Sequence, residues 1–460
     1  MAVVLSSSAE SRSPGSAVPG RTAPPPTGLE VRPFRALSYR LRDPEQLARV
    51  SSPAYDLVTP AGRERLAQAD PHNVVRLILP LLDSPATADA RSDGHSDRCD
   101  AAARSADLAA ATLQRWQDEK VLVRDAQPAL WLYEMSPPDG RAPTAGWLGA
   151  VTLPAPGSTA VLPHEDTYPV AVEGRRALLA ATVTDLEPIV LAHDPDPDVA
   201  QLTAAARVAP PTLAVTDGDG VRHRLWRVTD PVLLGSLIEA LRRTGAVIAD
   251  GHHRFAAARA HAATPGAPAG SDAVLALVTP MGPGGLRVDP IHRVVPGLEL
   301  DTAIVAAEAG FRSHEFPRPA SRAALLDRAQ AWLRDGGAGT FLLTDGTRLV
   351  ELREPTPEIA ASLPGDAPPA WRRLDVVLAH HGLFAQLWQR PDDQDSVLIA
   401  HGVEEALTLA DERGGVAVLL RAPSPSDVAA VARAGARMPR KSTLFVPKPR
   451  TGLVLRPLED

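Results

Sequence analysis

Apolar residues along much of the chain recur at spacings typical of short strands and amphipathic helices. Strands are predicted at residues 71–80, 129–135, 147–153, 225–228, 246–249, 273–278, 340–343 and 416–420. Helices are predicted around residues 108–116 and at 232–243, 254–263, 322–334 and 426–434. Because strands and helices alternate through the middle of the chain, the pattern favours a mixed α/β fold over a β-sandwich.

The same pattern divides the chain into four parts. Residues 1–28 are rich in Ser, Pro and Gly, and we expect a disordered tail there. Residues 29–160 form an N-terminal α/β region with a flexible insertion at about 83–100, where composition is again polar. Residues 161–300 are predicted to form the core and residues 301–460 a C-terminal α/β region.

Composition and charge exclude several classes of function. The net charge of −7 argues against a nucleic-acid-coating protein, which needs a dense basic face. A lone cysteine, Cys99, excludes an intramolecular disulfide framework and a thiolate metal cluster. The chain shows neither an apolar run that could span a bilayer nor the apolar stretch of a signal peptide. We therefore expect a cytoplasmic protein without membrane or nucleic-acid partners, and its oligomeric state is left open.

The sharpest local feature is the sequence ADGHHRFAAA at residues 249–258, where an apolar strand ends and a helix begins after one turn. Backbone N–H groups of Gly251, His252 and His253 at a helix N-terminus would form an anion site. Arg254 adds a forked donor suited to phosphate. Asp250 could bind Mg²⁺ or only cap the helix, and the capping alternative has about even weight. Zinc is disfavoured because adjacent histidines point roughly 100° apart on a helix.

Two further segments carry candidate chemistry. His164 and Glu165 follow an apolar segment broken by Pro163, and a carboxylate there could accept a proton from a hydroxyl substrate. Lys441, Ser442 and Thr443 offer a cation and two hydroxyls for a phosphate chain, without the glycines of a Walker A loop. Taken singly, each segment is more typical of an exposed loop.

Taken together, the motifs resemble a known family. SPAYDLVTP, PHNVVRL, LPHEDT, ADGHHRFAAA and MPRKSTLFVPKPRTGL are similar to motifs of the domain-of-unknown-function 1015 family. More distantly, the order of Pro-His-Glu, Asp-Gly-His-His-Arg and a Lys-Ser-Thr loop resembles the archaeal free serine kinases, which have a ParB/sulfiredoxin-like nucleotide-binding fold.

That second resemblance implies a function. It predicts a ParB/sulfiredoxin-like catalytic core in residues 161–300, with Glu165 as catalytic base beside His164 and with Asp250 supporting catalysis. The hypothesis is a kinase that transfers phosphate from ADP or ATP, with Mg²⁺, to a free amino-acid hydroxyl, best represented by L-serine. The alternative is a nucleotide-binding regulator of ParB-like type that has no small-molecule acceptor.

Overall fold

The computed structural model describes residues 28–81, 95–393 and 395–459. The predicted tail therefore lies outside the described residues except for Gly28, as does the 83–94 part of the predicted insertion. Residues 95–100, which we assigned to that insertion, instead form the start of a helix.

The strands are short and come from every described part of the chain. They are β1 (Val31–Arg32), β2 (Leu37–Tyr39), β3 (Leu122–Arg124), β4 (Leu130–Ser136), β5 (Thr144–Thr152), β6 (Val161–Leu162), β7 (Thr184–Asp185), β8 (Ile189–His193), β9 (Leu213–Thr216), β10 (Arg222–Val228), β11 (Ala246–Asp250), β12 (Ala273–Pro280), β13 (Arg287–Asp289), β14 (His292–Val295), β15 (Arg312–Glu315), β16 (Phe341–Thr344), β17 (Leu349–Arg353), β18 (Leu398–Ala400), β19 (Val416–Leu419), β20 (Leu444–Val446) and β21 (Arg456–Pro457).

Helices alternate with these strands. The α-helices are α1 (Pro44–Val50), α2 (Pro60–Ala69), α3 (Val75–Ile78), α4 (His95–Asp118), α5 (Pro169–Thr182), α6 (Pro197–Ala206), α7 (Pro231–Leu241), α8 (His252–Ala262), α9 (Leu300–Ala307), α10 (Arg322–Arg334), α11 (Pro357–Ala361), α12 (Pro369–Arg372), α13 (Asp375–Leu378), α14 (Val403–Arg413) and α15 (Pro425–Arg433). Short 3₁₀ helices lie at Tyr55–Leu57 and Ala269–Asp272, and a π-helix lies at Ala379–Leu387.

The larger sheet is mixed and has the strand order β6-β11-β8-β12-β5-β4-β10-β9, with β1 added beside β5. Two of its pairings are parallel, β6 with β11 and β8 with β12, and the others are antiparallel. The predicted boundary at residues 160/161 falls inside this sheet, because its strands come from both sides of it.

A second sheet, in the order β15-β17-β16-β19-β14-β18, is antiparallel throughout. The C-terminal segment then returns to earlier parts of the chain, where β20 pairs with β13 and β21 pairs with β7. The mixed α/β fold predicted from the alternating pattern is confirmed.

Both faces of the larger sheet are covered by apolar side chains. Successive residues of one strand point to opposite faces, and Trp131 belongs to one core while Leu130 and Leu132 belong to the other. A third core joins the two sheets, since Val247 of β11 and Val418 of β19 lie in the same apolar cluster. Among the described residues, no helix is both long enough and apolar enough to cross a membrane.

The predicted strand at residues 71–80 is wrong, because this segment forms the short helix α3. The Asn73 side chain accepts a hydrogen bond from the backbone N–H of Val75 at 2.9 Å, which begins a turn. Val75, Leu77 and Ile78 are then buried. An apolar run that is buried on all sides lacks the periodicity that distinguishes a strand from a helix.

Candidate functional site

The three predicted motifs meet at one edge of the larger sheet. Strands β6 and β11 are parallel, so the residues that follow them leave the sheet at the same edge. Pro163 to Glu165 follow β6, and Gly251 to Arg254 follow β11. The C-terminal segment joins them through the N–H of Met438, which donates to the carbonyl oxygen of His164 at 2.7 Å.

Glu165 lies at the centre of this meeting point. The hydroxyl of Thr443 donates to Glu165 Oε1 at 2.8 Å, and Nε2 of His164 lies 3.0 Å from the same hydroxyl oxygen. Partial burial raises the pKa of Glu165, while the Thr443 hydrogen bond and the charge of Lys441 oppose that shift. The Glu165 side chain is still 33% exposed, so a substrate can reach the carboxylate.

Two buried imidazoles surround this carboxylate. The rings of His164 and His252 meet edge to face with centroids 4.6 Å apart. Burial lowers the pKa of His164 to about 4 and lowers that of His252 well below its usual value, so both are neutral at pH 7. His252 Nε2 accepts from the backbone N–H of His164 at 3.2 Å, which leaves the proton on Nδ1, 3.9 Å from Glu165 Oε2.

Asp250 lies between two cations. Its Oδ2 pairs with Arg254 at 2.5 Å, and its Oδ1 pairs with the ammonium of Lys448 at 2.6 Å. Lys448 also contacts Asp56, which comes from the N-terminal part of the chain. Burial alone raises the pKa of Asp250, but the charges of Arg254 and Lys448 outweigh it, and the net pKa lies below the usual value.

This arrangement does not fit the prediction that Asp250 binds Mg²⁺. Both of its carboxylate oxygens face a cation, and the Lys448 ammonium stands between Asp56 and Asp250, where a divalent ion would need to bind. Within the described residues there is also no group of three or more His, Cys, Asp or Glu side chains that could hold a metal ion.

The capping interpretation of Asp250 does not fit either. Helix α8 begins at His252 after Gly251, and in this described segment no side chain hydrogen-bonds to the first turn. The N–H groups of that turn therefore stay available to an anion. Gly251 has φ +93°, and an added Cβ would lie 2.8 Å from Ile189 Cγ2, so glycine is required by both conformation and space.

His253 and Arg254 point in different directions from the start of α8. His253 Nε2 accepts from the backbone N–H of Tyr168 at 3.2 Å, and the two rings are stacked with an interplanar angle of 16°. Arg254 is turned inward, where Nη1 donates to the carbonyl oxygen of Pro188 at 2.6 Å. We therefore interpret Arg254 as the residue that fixes Asp250 rather than as a free phosphate ligand.

In the C-terminal loop, Lys441 and Ser442 differ in exposure. Lys441 is exposed; its charge opposes the rise in the pKa of Glu165 and adds to the lowering of the pKa of His253 that burial causes. Ser442 is buried, and its hydroxyl donates to the carbonyl oxygen of Pro439 at 2.6 Å, which closes the loop on itself. Of Lys441 and Ser442, Lys441 is the exposed one, and its charge acts on both Glu165 and His253.

Sequence reasoning missed Asp56, Lys448 and Tyr55 as members of this site. The Tyr55 ring lies between two guanidinium groups, 3.7 Å from that of Arg175 and 5.5 Å from that of Arg254. Asp56 and Lys448 fall inside the motifs SPAYDLVTP and MPRKSTLFVPKPRTGL. Their presence in those motifs was the available signal, but no local pattern paired residues so far apart in the chain.

Comparison with solved structures found distant likenesses. The chain is similar to a free serine kinase in complex with AMP, with 14% identity and a TM-score of 0.31 over 67% of this chain and 90% of that one. It is similar to a conserved hypothetical protein from Pyrococcus furiosus, with 14% identity and a TM-score of 0.29 over 66% and 93%. It is also similar to a C-terminally truncated SbnI from Staphylococcus aureus, with 13% identity and a TM-score of 0.33 over 68% and 87%.

TM-scores this low do not establish a shared fold, so the ParB/sulfiredoxin-like core stays a prediction. A search of curated proteins found no match. A family model described as a protein of unknown function (DUF1015) matches residues 31–377, which is most of the chain and includes Glu165 and Asp250. The chain therefore belongs to the DUF1015 family.

Proposed function

We propose that the chain is a small-molecule kinase that transfers a phosphoryl group from ADP or ATP to a hydroxyl group. The observation that carries this proposal is the setting of Glu165, a partly exposed carboxylate of raised pKa that is held by Thr443 and lies within the electrostatic influence of Lys441. The choice of free L-serine as first acceptor rests on the motif resemblance to free serine kinases.

In the proposed reaction, Glu165 accepts the proton of the acceptor hydroxyl as its oxygen attacks the terminal phosphorus. The bond from that phosphorus to the bridging oxygen of the donor breaks, which releases ADP from ATP or AMP from ADP. Thr443 orients the carboxylate through its hydrogen bond, the neutral imidazole of His252 lies beside it, and neither group needs to change charge. A raised pKa makes the carboxylate a better proton acceptor near neutral pH.

Charge on the transferred phosphoryl group needs stabilisation, which is the main demand of this chemistry. We assign Lys441 and the first-turn N–H groups of α8 to the phosphates, because Lys441 acts electrostatically on Glu165 and no side chain caps the first turn of α8. Lys448 supplies a fixed positive charge, held in place by Asp250 and Asp56. Mg²⁺ would then arrive on the nucleotide phosphates, and Asp250 would act through Lys448 rather than as a metal ligand.

The proposal is tested by ³¹P NMR of the purified protein with ATP or ADP, Mg²⁺ and a panel of hydroxyl-bearing amino acids. We expect a new phosphomonoester resonance with at least one acceptor, matched by release of ADP or AMP. Nucleotide that binds without any transfer across the panel would contradict the kinase and favour the regulator. The Asp166→Asn protein is a matched control, because the Asp166 side chain, next to Glu165, is 88% exposed.

A further inference from the structure

The loop that carries Lys441 is hydrogen-bonded by Arg293, a buried side chain with no part in the proposed reaction. Arg293, in β14 of the second sheet, has no exposed surface. Its Nη2 donates to the carbonyl oxygens of Arg440 at 3.2 Å and Lys441 at 3.0 Å. Burial lowers the pKa of Arg293 to about 10, so its guanidinium stays charged at neutral pH.

Lys441 needs such support because its backbone is left-handed. Its φ is +50°, a region that residues with a Cβ seldom adopt. A conformation of this kind persists only where the surrounding structure fixes it. The two hydrogen bonds from Arg293 to consecutive carbonyl groups are suited to that task.

Arg293 is itself held by His380, on the π-helix Ala379–Leu387. Arg293 Nε donates to His380 Nε2 at 3.0 Å, so this nitrogen has no proton and Nδ1 carries it. His380 Nδ1 lies 2.9 Å from Asp392 Oδ2, and this carboxylate favours a proton on Nδ1. The Asp392 carboxylate thus favours the same tautomer that the hydrogen bond from Arg293 requires. Irregular π-helical turns are frequent at functional sites.

We infer that Asp392, His380 and Arg293 form a positioning relay that sets the backbone of residues 440–441 and so aims the Lys441 ammonium at the donor phosphates. This inference rests on the proposed function for the role of Lys441, but the relay itself is a property of the loop.

The test compares two substitutions of His380. His380→Leu removes the acceptor for Arg293 Nε, whereas His380→Gln retains one in its side-chain oxygen. Arg293→Met removes the donors to the loop. Arg456→Met is the matched control, because Arg456 is also almost completely buried and hydrogen-bonds Asp185 and the carbonyl oxygens of Gly270 and Ala273 instead.

Two measurements are made on the full chain, hydrogen exchange of the 438–446 backbone and calorimetric affinity for ADP. His380→Leu and Arg293→Met should speed exchange at residues 440–443 and weaken ADP binding by about tenfold or more, the effect of a displaced ligand group. His380→Gln should keep most of the wild-type loop protection and ADP affinity. Arg456→Met should lower only the unfolding temperature.

The outcomes separate the relay from the kinase. Unchanged loop exchange in His380→Leu, or equal losses in His380→Leu and His380→Gln, would overturn the relay even if the wild type is an active kinase. Loss of ADP affinity in Arg456→Met as large as in Arg293→Met would overturn it too, since the effect would then follow from instability. If the wild type transfers no phosphate, the exchange data still decide the relay.

Discussion

Replacement of Lys448 by methionine tests whether the ion cluster around Asp250 holds the site together. Methionine retains much of the apolar stem but removes the ammonium that contacts Asp250 and Asp56. At pH 7 Asp250 and Lys448 are both charged. The lowered pKa of Asp250 gives stability that is present above its unfolded value of 3.8 and is lost as pH falls through the folded pKa.

For Lys448 the contribution to stability has the opposite dependence on pH. Burial alone lowers its pKa, but Asp250 and Asp56 raise it above 10.5, so its contribution is present at neutral pH and is lost as pH rises through the folded pKa. Removing the sole partner of a buried charge costs about 3–5 kcal/mol. Asp250 keeps Arg254, and Asp56 is 37% exposed and can be hydrated. We therefore expect a loss of about 2–3 kcal/mol, below the range for a sole partner.

The assay is denaturant unfolding at pH 7 of Lys448→Met, Asp250→Asn and the double variant. Because the two residues are in contact, the double variant should lose less than the sum of the singles, with a coupling of about 1–3 kcal/mol. Lys120→Met, at an exposed lysine, is the control and should change stability little. A coupling near zero, or equal losses at Lys448 and Lys120, would refute the reasoning.

Three further predictions concern the groups around the cluster. Gly251→Ala should lower the free energy of unfolding by about 2–4 kcal/mol in a thermal or denaturant melt, because alanine would be strained in the left-handed region and its Cβ would lie 2.8 Å from Ile189. The control Gly174→Ala, in α5 with nothing within 4 Å of the added Cβ, should be neutral or stabilising. The acid limb of the pH profile of kcat/KM should have an apparent pKa above 4.5, the usual value for glutamate, because Glu165 must be ionised to act as base and its pKa is raised. An apparent pKa at or below 4.5 would contradict the assignment. Lys441→Met should weaken ADP binding about 10- to 100-fold by calorimetry, since a hydrogen bond to a charged group is worth about 1.5–3 kcal/mol, and unchanged affinity would remove Lys441 from the phosphate site.

Much of the fold could be predicted because apolar residues recur at different spacings in strands and in helices. The predicted helix at 322–334 is found without change, and the strand at 246–249 is one residue longer. The segment at 71–80 failed because its conformation is set by Asn73, whose amide group bonds the carbonyl oxygens of Arg49 and Ser51. A contact across more than twenty residues leaves no trace in a local pattern.

The site was predictable only in part, for a similar reason. Glu165, Asp250 and Lys441 stand in motifs whose order could be compared with known families. What each side chain faces depends on the packing of distant segments, so the pairing of Asp250 with Lys448 and the inward turn of Arg254 could not be foreseen. The expectation that Asp250 binds Mg²⁺ assumed a carboxylate without a partner, but in the fold this carboxylate pairs with Arg254 and Lys448.

The central claim is that Glu165 takes a proton from a hydroxyl during phosphoryl transfer. It is tested most directly by single-turnover transfer from nucleotide to the accepted substrate in Glu165→Gln, with Asp166→Asn as the control. Glutamine keeps the shape and the hydrogen bond to Thr443, so nucleotide affinity should change little while the transfer rate falls about 10²–10⁴-fold, and Asp166→Asn should behave as wild type. A Glu165→Gln rate equal to that of the wild type would show that this carboxylate is not the base.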